Sequence, residues 1–272
     1  MKRSRTKPAS HPLSIEWAGL TQFPVPIPKD EPQRLKDLHS FDILDSLPEA
    51  EFDVITLLAS QICGTPIAVM SLVDSERQWF KSKVGLSFSE SSRDIAFCAH
   101  AIMQHELFIV PDASKDRRFT HNPLVSAEPK IRFYAGAPLV SEDDHAIGTL
   151  CVMDLEPREL TTGQKEALRV LSRVVMNQLQ MRRSIRELTR ALDRRRRTTR
   201  PRKKTTQGAQ AALLGKAAHE MQTTARVIVQ VMQRALTKPC TPEQHELLRA
   251  ARSSADSLLP LARKMRKAAE GA

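Results

Sequence analysis

The spacing of apolar residues changes twice along the chain, and these changes limit the possible folds more than any other feature. In residues 31–63, apolar side chains such as Phe52, Ile55 and Ala59 recur at helical spacing. Between residues 66 and 154 the apolar runs are short and rich in β-branched residues, and helical spacing returns from Thr161. This order predicts an α+β unit that is followed by a long helical part.

The α+β unit is predicted to contain two helices and an antiparallel sheet. One helix begins near Asp30 and carries apolar residues as far as Leu44, and a second covers residues 49–63. Five short runs are the predicted strands, at residues 66–74, 77–83, 107–111, 131–140 and 146–154, and the first two form a hairpin. The predicted connections are a polar loop at 85–93, a short helix at 96–104 and a loop with a helical turn at 112–129. We expect the helices to lie on one side of this sheet.

A long helix is predicted from Thr161, because Thr161 and Gln164 fit a capping box. Apolar residues at 168, 171 and 175, and again at 185, 188 and 192, follow a 3–4 pattern whose phase slips between the two blocks. This slip predicts an imperfect coiled coil. The helix is expected to break at residues 198–201, where Pro201 interrupts the pattern.

The C-terminal residues 208–272 are predicted to form an antiparallel helical hairpin. Two seams of apolar and small residues repeat with alternating spacings of four and three, and a turn at 237–239 separates them. A hairpin this short leaves apolar surface uncovered, so we expect a homodimer that forms a four-helix bundle. The seams consist of Leu214, Ala218, Met221, Ala225, Ile228, Met232 and Ala235, then Leu247, Ala251, Ser254, Leu258, Leu261 and Met265.

Almost all of the net charge of +11 lies in one segment. Residues 182–204 contain 12 Lys or Arg and 2 acids, which gives this segment a charge of +10 (12 − 2). We interpret it as part of a basic signalling helix and solvated linker at residues 181–207. Weak electrostatic contact with nucleic acid or with anionic lipid is the alternative. Base stacking is not expected, because no aromatic residue interrupts the basic ones.

The four cysteines, Cys63, Cys98, Cys151 and Cys240, form no CxxC pair and no zinc pattern. Reduced thiols in a cytoplasmic protein are the simplest interpretation. No run of about 18 apolar residues predicts a membrane span. Residues 1–29 are expected to be a disordered, basic and proline-rich tail rather than a signal peptide. No metal site and no cofactor are identified.

A series of short motifs runs through the middle of the chain. They include Ile43, Leu44 and Asp45, then Pro48, Glu49, Phe52 and Asp53, then 66–68, 71–74, 77–82, 97–102, Asp116, Arg118, Phe119, 122–125, 131–139 and 148–154. In this order they resemble a GAF domain of the subfamily found at the head of many bacterial sensor kinases and diguanylate cyclases, and the resemblance covers residues 30–180. It implies a sensory domain with an antiparallel sheet flanked by helices. One departure is the stretch 90–92, which has Glu-Ser-Ser where the family usually has Glu-Thr-Pro.

Within that resemblance, five residues are candidates to line a pocket for an unknown small molecule, namely Phe80, Phe97, Cys98, Tyr134 and Cys151. The alternative is that the same five residues are plain core residues. Cys-His elements hold bilins in phytochrome-like GAF domains, but Cys98 and His100 belong to an element that is ordinary for the non-photosensory subfamily. A buried small thiol is therefore favoured. The cyclic-nucleotide signature of some GAF domains (Asn-Lys, Phe, Asp-Glu) is absent.

The C-terminal stretch His219, Glu220, Met221 and Thr223 resembles a histidine-kinase dimerisation and phosphoacceptor domain. The resemblance implies that His219 accepts phosphate, that Glu220 hydrogen-bonds its ring, and that Thr223 places a water for dephosphorylating a partner. An exposed helical His219 without chemistry is the alternative. The departures are Gln222 and Thr224 in place of Arg and Pro, and Pro260, which should kink the second helix.

Three hypotheses about function follow. The favoured one is a GAF sensor coupled to the hairpin, acting in or beside a two-component phosphorelay with a response regulator or a separate histidine kinase as partner. Autokinase activity is not expected, because no Gly-rich ATP lid follows the hairpin motif. The second is a non-catalytic, GAF-controlled dimeric interaction module with a silent hairpin. The third is a GAF-type methionine sulfoxide reductase that uses Cys98 and Cys151, although the sequence shows no pair with resolving geometry.

Overall fold

A computed structural model describes residues 25–198 and nine helical residues of the C-terminal part, namely 215, 218, 219, 222, 226, 260, 263, 266 and 267. Residues 1–24 of the predicted tail, residues 199–201 of the predicted helix break and most of the predicted hairpin lie outside the described residues. Among the residues described, no helix combines the length and the apolar character that crossing a membrane requires.

The described part is an α+β unit with one six-stranded antiparallel sheet in the order β3-β2-β1-β6-β5-β4. Its helices are α1 (Glu31–Ser40), α2 (Ala50–Cys63), α3 (Phe97–Ala101), α4 (Pro123–Ser126) and α5 (Thr162–Thr198), with a 3-10 turn at Arg93–Ile95. Its strands are β1 (Ile67–Val73), β2 (Arg77–Val84), β3 (Glu90–Ser92), β4 (Phe108–Val110), β5 (Phe133–Val140) and β6 (Ala146–Asp154). The five predicted strands and the predicted sheet are therefore confirmed.

Both faces of the sheet are covered, which corrects the expectation of helices on one side only. Alternation along β1 sends Ala68 and Met70 into a core with α1, α2 and α5, whereas Val69 faces a second core that contains residues of α3 and α4. We call these the helical face and the cavity face. Because water reaches neither face of the central strands, every residue of β1 and β6 is buried.

Two local elements differ from the sequence-based expectation. The first helix ends at Ser40 because Asp42 and Asp45 adopt positive φ angles of 47° and 58°, which no α-helix accommodates. Phe41 and Ile43 are nevertheless buried, so their apolar signal marks core residues of a loop. The predicted polar loop at 85–93 contains the edge strand β3, which carries no apolar residue and therefore lacked a strand pattern.

The capping box at the start of α5 is confirmed. The Gln164 N–H donates to Thr161 Oγ1 at 3.3 Å, and the Thr161 N–H donates to Gln164 Oε1 at 2.9 Å. Gln164 Nε2 also donates to the carbonyl oxygens of Ile62 and Cys63, both at 3.1 Å, and so ties α5 to the end of α2.

The Gln164→Ala variant is expected to lower the free energy of unfolding by about 1 kcal/mol, because the four hydrogen bonds of its side chain are lost, two with Thr161 at the start of α5 and two with the carbonyl oxygens at the end of α2. Urea unfolding of the purified protein measures this difference. Gln178→Ala makes the same change farther along α5 and serves as the control, with an expected change below about 0.5 kcal/mol. Equal losses in the two variants would contradict the capping role.

The phase slip in α5 has a structural cause. The first apolar block packs on the helical face, where Leu168, Leu171 and Val175 are at most 1% exposed. In the second block Ile185 is 53% exposed. The first block thus belongs to the α+β core, whereas the second block departs from that core at Ile185.

Candidate ligand-binding site

The centre of the cavity face carries a cluster of hydroxyl and thiol groups. Ser71 of β1 and Thr149 of β6 are cross-strand partners, and their side-chain oxygens lie 3.1 Å apart. Cys151 follows on the same face of β6, and Tyr134 reaches the cluster from β5. Cys98 of α3 closes it from above the sheet. Strand alternation and antiparallel register therefore bring together residues that are distant in the chain. For example, Cys151 Sγ contacts the carbonyl oxygen of Val69, which lies 82 positions earlier.

Cys98 is the centre of this cluster. Its sulfur accepts hydrogen bonds from Ser71 Oγ at 3.2 Å, Tyr134 Oη at 3.2 Å and Thr149 Oγ1 at 3.0 Å. The Cys151 sulfur lies 3.9 Å away. The two thiols are therefore in contact, which the sequence alone did not show.

Gly136 makes room for the Tyr134 phenol. A Cβ atom at Gly136 would lie 2.3 Å from Tyr134 Oη, so the ring crosses the strand at the one position without a side chain. The glycine therefore fixes the direction in which the phenol points, which is toward Cys98.

The ionisation of the cluster follows from its contacts. Burial alone raises the pKa of the Cys98 thiol, but hydrogen bonds with Cys151, Ser71, Thr149 and Tyr134 outweigh burial and lower the pKa to about 7. The hydrogen bond with Cys98, together with burial, raises the pKa of Cys151. Burial also raises the pKa of Tyr134, so the phenol stays protonated and donates. Negative charge in this cluster therefore resides on Cys98.

A cavity of about 20 Å³ lies between this cluster and the edge of the sheet, which is the space of about one water molecule. Its lining residues are Gln78, Phe80, Leu86, Phe88, Ser91, Ala96, Phe97, Cys98, Leu124, Pro129, Ile131, Tyr134 and Met153. Leu86, Phe88 and Pro129 are half-buried, so they form the rim toward solvent. Asp, Glu, Lys, Arg and His do not occur among these lining residues.

Two polar atoms in the lining have no hydrogen-bond partner among the described residues. They are Gln78 Oε1 and Ser91 Oγ, and each residue is only 6% exposed. Buried polar atoms are nearly always satisfied in folded proteins, because an orphan costs about 1–3 kcal/mol. The arrangement fits a ligand that supplies the missing hydrogen bonds.

Four of the five predicted pocket residues, Phe80, Phe97, Cys98 and Tyr134, do line the cavity. The fifth, Cys151, lies behind Cys98 and is fully buried. Gln78 and Ser91 also line the cavity and were not predicted from the sequence. A signal for Gln78 existed, since alternation in β2 puts it on the same face as Phe80, where a polar residue has to find a partner.

His100 does not join the thiol cluster in the contacts of the described residues. Its ring packs edge-on against Phe119, with the ring centroids 4.8 Å apart. Burial and the nearby Arg118 lower the pKa of His100 to about 4, so the ring is neutral at physiological pH. His100 thus acts as a packing residue, in keeping with an ordinary core element.

The predicted phosphoacceptor site is only partly described. His219 is helical and exposed, whereas the neighbouring seam position Ala218 is 1% exposed. The other two predicted site residues, Glu220 and Thr223, lie outside the described residues.

The first part of the basic segment contacts the α+β unit, which revises its interpretation as a solvated linker. Arg182 and Arg186 donate to the Asp42 carbonyl oxygen at 2.9 and 2.7 Å, and Arg186 also forms a salt bridge with the Asp42 carboxylate. The Arg183 guanidinium lies 4.6 Å from the centroid of the Phe41 ring. The side chains at residues 192–204 lie outside the description.

Comparison with known proteins agrees with this architecture. Residues 48–179 match the model of the GAF domain family, so the chain contains a GAF domain. A cyclic di-GMP phosphodiesterase of Pseudomonas aeruginosa is 39% identical over 160 residues, which are 58% of this chain and 27% of that protein. The chain thus spans about a quarter of the length of this relative.

Two solved structures show similarity at low sequence identity. The GAF domain of PixJ from Thermosynechococcus elongatus, in its blue-light-absorbing form, is 14% identical with a TM-score of 0.44, over 62% of this chain and 98% of that one. A domain from a Sinorhizobium meliloti 1021 protein described as a two-component sensor histidine kinase is 15% identical with a TM-score of 0.40, over 52% of this chain and 94% of that one.

Proposed function

We propose that this chain is a cytoplasmic signal-transduction protein. Its GAF domain binds a small neutral molecule in the cavity, and its C-terminal hairpin dimerises and acts in or beside a two-component phosphorelay. The observation that carries the sensory part is the pair of orphan polar atoms, Gln78 Oε1 and Ser91 Oγ, in a lining where the Tyr134 hydroxyl and the Cys98 thiol are hydrogen-bonded to each other.

The lining decides the chemical class of the ligand. An anionic ligand would lose its hydration without meeting a positive charge, since no Lys, Arg or His lines the cavity and the one lining group that can ionise near neutral pH, the Cys98 thiol, becomes negative. Gln78 Oε1 is an acceptor, so the ligand offers a hydrogen-bond donor to it. The cavity holds about one water molecule in this form, so a larger ligand enters as the half-buried rim residues Leu86 and Phe88 move outward.

A contiguous set of contacts leads from the cavity to α5. Phe80 lines the cavity, and the next residue in β2, Lys81, faces the opposite side of the sheet with its side chain fully buried. Lys81 Nζ lies 2.7 Å from Glu49 Oε1, and the same oxygen lies 3.3 Å from Arg182 Nε of α5. A displacement of β2 therefore reaches α5 through a shared carboxylate, which supports transmission toward the hairpin.

The exposed helical position of His219, beside the buried Ala218, supports the phosphorelay part of the proposal. A phosphoacceptor histidine needs solvent access so that a partner protein can reach its ring. A response regulator or a separate histidine kinase is the partner that this chemistry requires. A phosphoryl label that depends on His219 is the expected result, and a silent hairpin is the alternative outcome.

The sensory part is tested with the Gln78→Met variant, which keeps the length of the side chain and removes its polar atoms. Without ligand, this variant is expected to raise the free energy of unfolding by about 1 kcal/mol, because the orphan oxygen is gone. The wild-type protein is screened by thermal shift against a panel of small neutral metabolites with hydrogen-bond donors. Compounds that raise its Tm are expected to leave the Tm of Gln78→Met unchanged.

Gln33→Met is the matched control, because Gln33 is exposed on α1. It is expected to retain the wild-type response to every compound. A compound that stabilises Gln78→Met as strongly as the wild type would contradict binding at this cavity, and a panel in which only charged compounds bind would contradict the proposed ligand class.

A further inference from the structure

The pair of thiols on the cavity face has a chemistry that the sensory proposal does not use. Cys98 and Cys151 come from different elements, α3 and β6, and their sulfur atoms lie 3.9 Å apart. Cys98 lines the cavity, and Cys151 lies directly behind it. Cys63 belongs to the core on the helical face, so it is a separate thiol of the same protein.

We propose that Cys98 and Cys151 are a peroxide-reactive pair, and that hydrogen peroxide entering the cavity oxidises them to a disulfide. Cys98 is the attacking residue because it faces the cavity, and Cys151 is the resolving residue because it is the thiol behind it. A dithiol returns the pair to its reduced form.

The surroundings of Cys98 favour its thiolate, which is the reactive form of cysteine. The hydroxyl groups of Ser71, Tyr134 and Thr149 all donate to its sulfur, and each of these hydrogen bonds strengthens when the sulfur carries a negative charge. The lowered pKa of Cys98, about 7, agrees with this geometry and makes a substantial fraction of the thiol ionised near neutral pH.

The reaction proceeds in two balanced steps. First, the Cys98 thiolate attacks one peroxide oxygen, the O–O bond breaks, and the departing hydroxide takes up a proton and leaves as water, which gives a sulfenic acid at Cys98. Second, Cys151 gives up its proton and its sulfur attacks the Cys98 sulfur, so that an S–S bond forms and the sulfenic oxygen leaves as a second water. The two thiols together lose two electrons and two protons, and one hydrogen peroxide becomes two water molecules.

Bond formation also changes the shape of the cavity face. The sulfur atoms have to approach from 3.9 Å to about 2 Å, so α3 and β6 move toward each other. Tyr134 and Thr149 lose their acceptor when the Cys98 sulfur turns toward Cys151. The oxidised protein therefore presents a different cavity wall from the reduced one.

The size of the cavity predicts which oxidant reacts. A space of about 20 Å³ admits a molecule close to the size of water, such as hydrogen peroxide. Cumene hydroperoxide carries a bulky aromatic group, so it can enter only after the rim residues Leu86 and Phe88 have moved outward. We therefore expect hydrogen peroxide to oxidise the pair at least about tenfold faster than cumene hydroperoxide at equal concentration, since a steric misfit of about 1.4 kcal/mol suffices for that factor.

The test is mass spectrometry of the folded full-length protein after treatment with hydrogen peroxide. The expected result is loss of the mass of two hydrogen atoms, a peptide pair linked through Cys98 and Cys151, and recovery of the original mass with dithiothreitol. The Cys151→Ser variant is expected to accumulate a sulfenic acid at Cys98, which dimedone traps when the oxidised protein is unfolded in its presence, and Cys98→Ser is expected to form neither product. Cys63→Ser is the matched control and should behave as the wild type.

The wild-type measurement is decisive even if a variant fails to fold. An unchanged mass after peroxide treatment would overturn the proposal, and so would a linked peptide pair that contains Cys63 or Cys240. Equal rates with hydrogen peroxide and cumene hydroperoxide would overturn the route through the cavity. None of these outcomes depends on His219 or on the neutral ligand. The test of the thiol pair is therefore independent of the proposed signalling function.

Discussion

Glu31→Gln is expected to lower the free energy of unfolding by about 3 kcal/mol, because it removes the only carboxylate that contacts two buried guanidinium groups within the described residues. Glu31 receives Arg34 Nε at 2.7 Å and Arg93 Nη1 at 2.5 Å. Arg34 is 1% exposed and Arg93 is 4% exposed. Further nitrogen atoms of both arginines have no partner among the described residues, so an amide in place of the carboxylate leaves two charges poorly compensated.

Urea unfolding near neutral pH measures this loss, and Glu51→Gln is the matched control. Glu51 also lies in the first turn of a helix, but it is exposed, so the change should cost less than about 0.5 kcal/mol. Similar values for the two variants would show that the Glu31 ion pairs do not stabilise the fold.

The same ion pairs predict a dependence of stability on acid. Burial raises the pKa of Glu31, but hydrogen bonds and charge interactions with Arg34 and Arg93 outweigh burial and lower it below the ordinary value of 4.5. A lowered pKa in the folded state stabilises the protein fully above about pH 4.5, and this contribution is lost as the pH falls through the folded-state pKa. Below pH 4.5 the wild type is therefore expected to lose stability more steeply than Glu31→Gln.

Gly148→Ala is expected to cost at least about 3 kcal/mol or to prevent folding, because the new methyl group meets backbone rather than a movable side chain. A Cβ atom at Gly148 would lie 2.1 Å from the Ser71 carbonyl oxygen and 2.9 Å from Leu72 Cα. Gly148 pairs with Leu72 in the centre of the sheet, so β1 and β6 would have to separate. The separation would occur where Ser71 and Thr149 meet Cys98.

Gly163→Ala is the control for this prediction. Its Cβ atom would meet nothing closer than Thr161 Oγ1 at 4.0 Å, and the residue lies in α5, so the change should leave stability unchanged or raise it by about 0.5–1 kcal/mol. Thermal unfolding followed by circular dichroism compares the two variants. A folded Gly148→Ala protein with wild-type Tm would contradict the close approach of β1 and β6.

Much of the α+β unit was predictable because its elements carry strong local signals. The capping box of α5 and the alternating or wholly apolar strands β1, β5 and β6 are encoded in short stretches of sequence. The end of α1 could not be predicted, because the positive φ at Asp42 depends on contacts with distant residues such as Arg186. The strand β3 was missed because its pairing with β2, and not its own composition, defines it.

The candidate site likewise has one part that could be predicted from the sequence and another part that could not. Aromatic residues such as Phe80 and Tyr134 were predictable as lining because they fall within recognisable motifs. The contact between Cys98 and Cys151 depends on how α3 crosses the sheet, which no local pattern specifies. The lack of a hydrogen-bond partner for Gln78 Oε1 likewise becomes visible only once the positions of all neighbouring donors among the described residues are known.

The measurement that tests the central claim most directly is phosphotransfer. The purified wild-type protein and its His219→Ala variant are mixed with active histidine kinases and with phosphorylated response regulators of the same cell. His121→Ala is the matched control, because His121 is an exposed histidine of the GAF domain. The proposal predicts an acid-labile, base-stable label, or faster loss of phosphate from a regulator, in the wild type and in His121→Ala but not in His219→Ala. The absence of label together with unchanged regulator phosphate, or label that persists without His219, would contradict it.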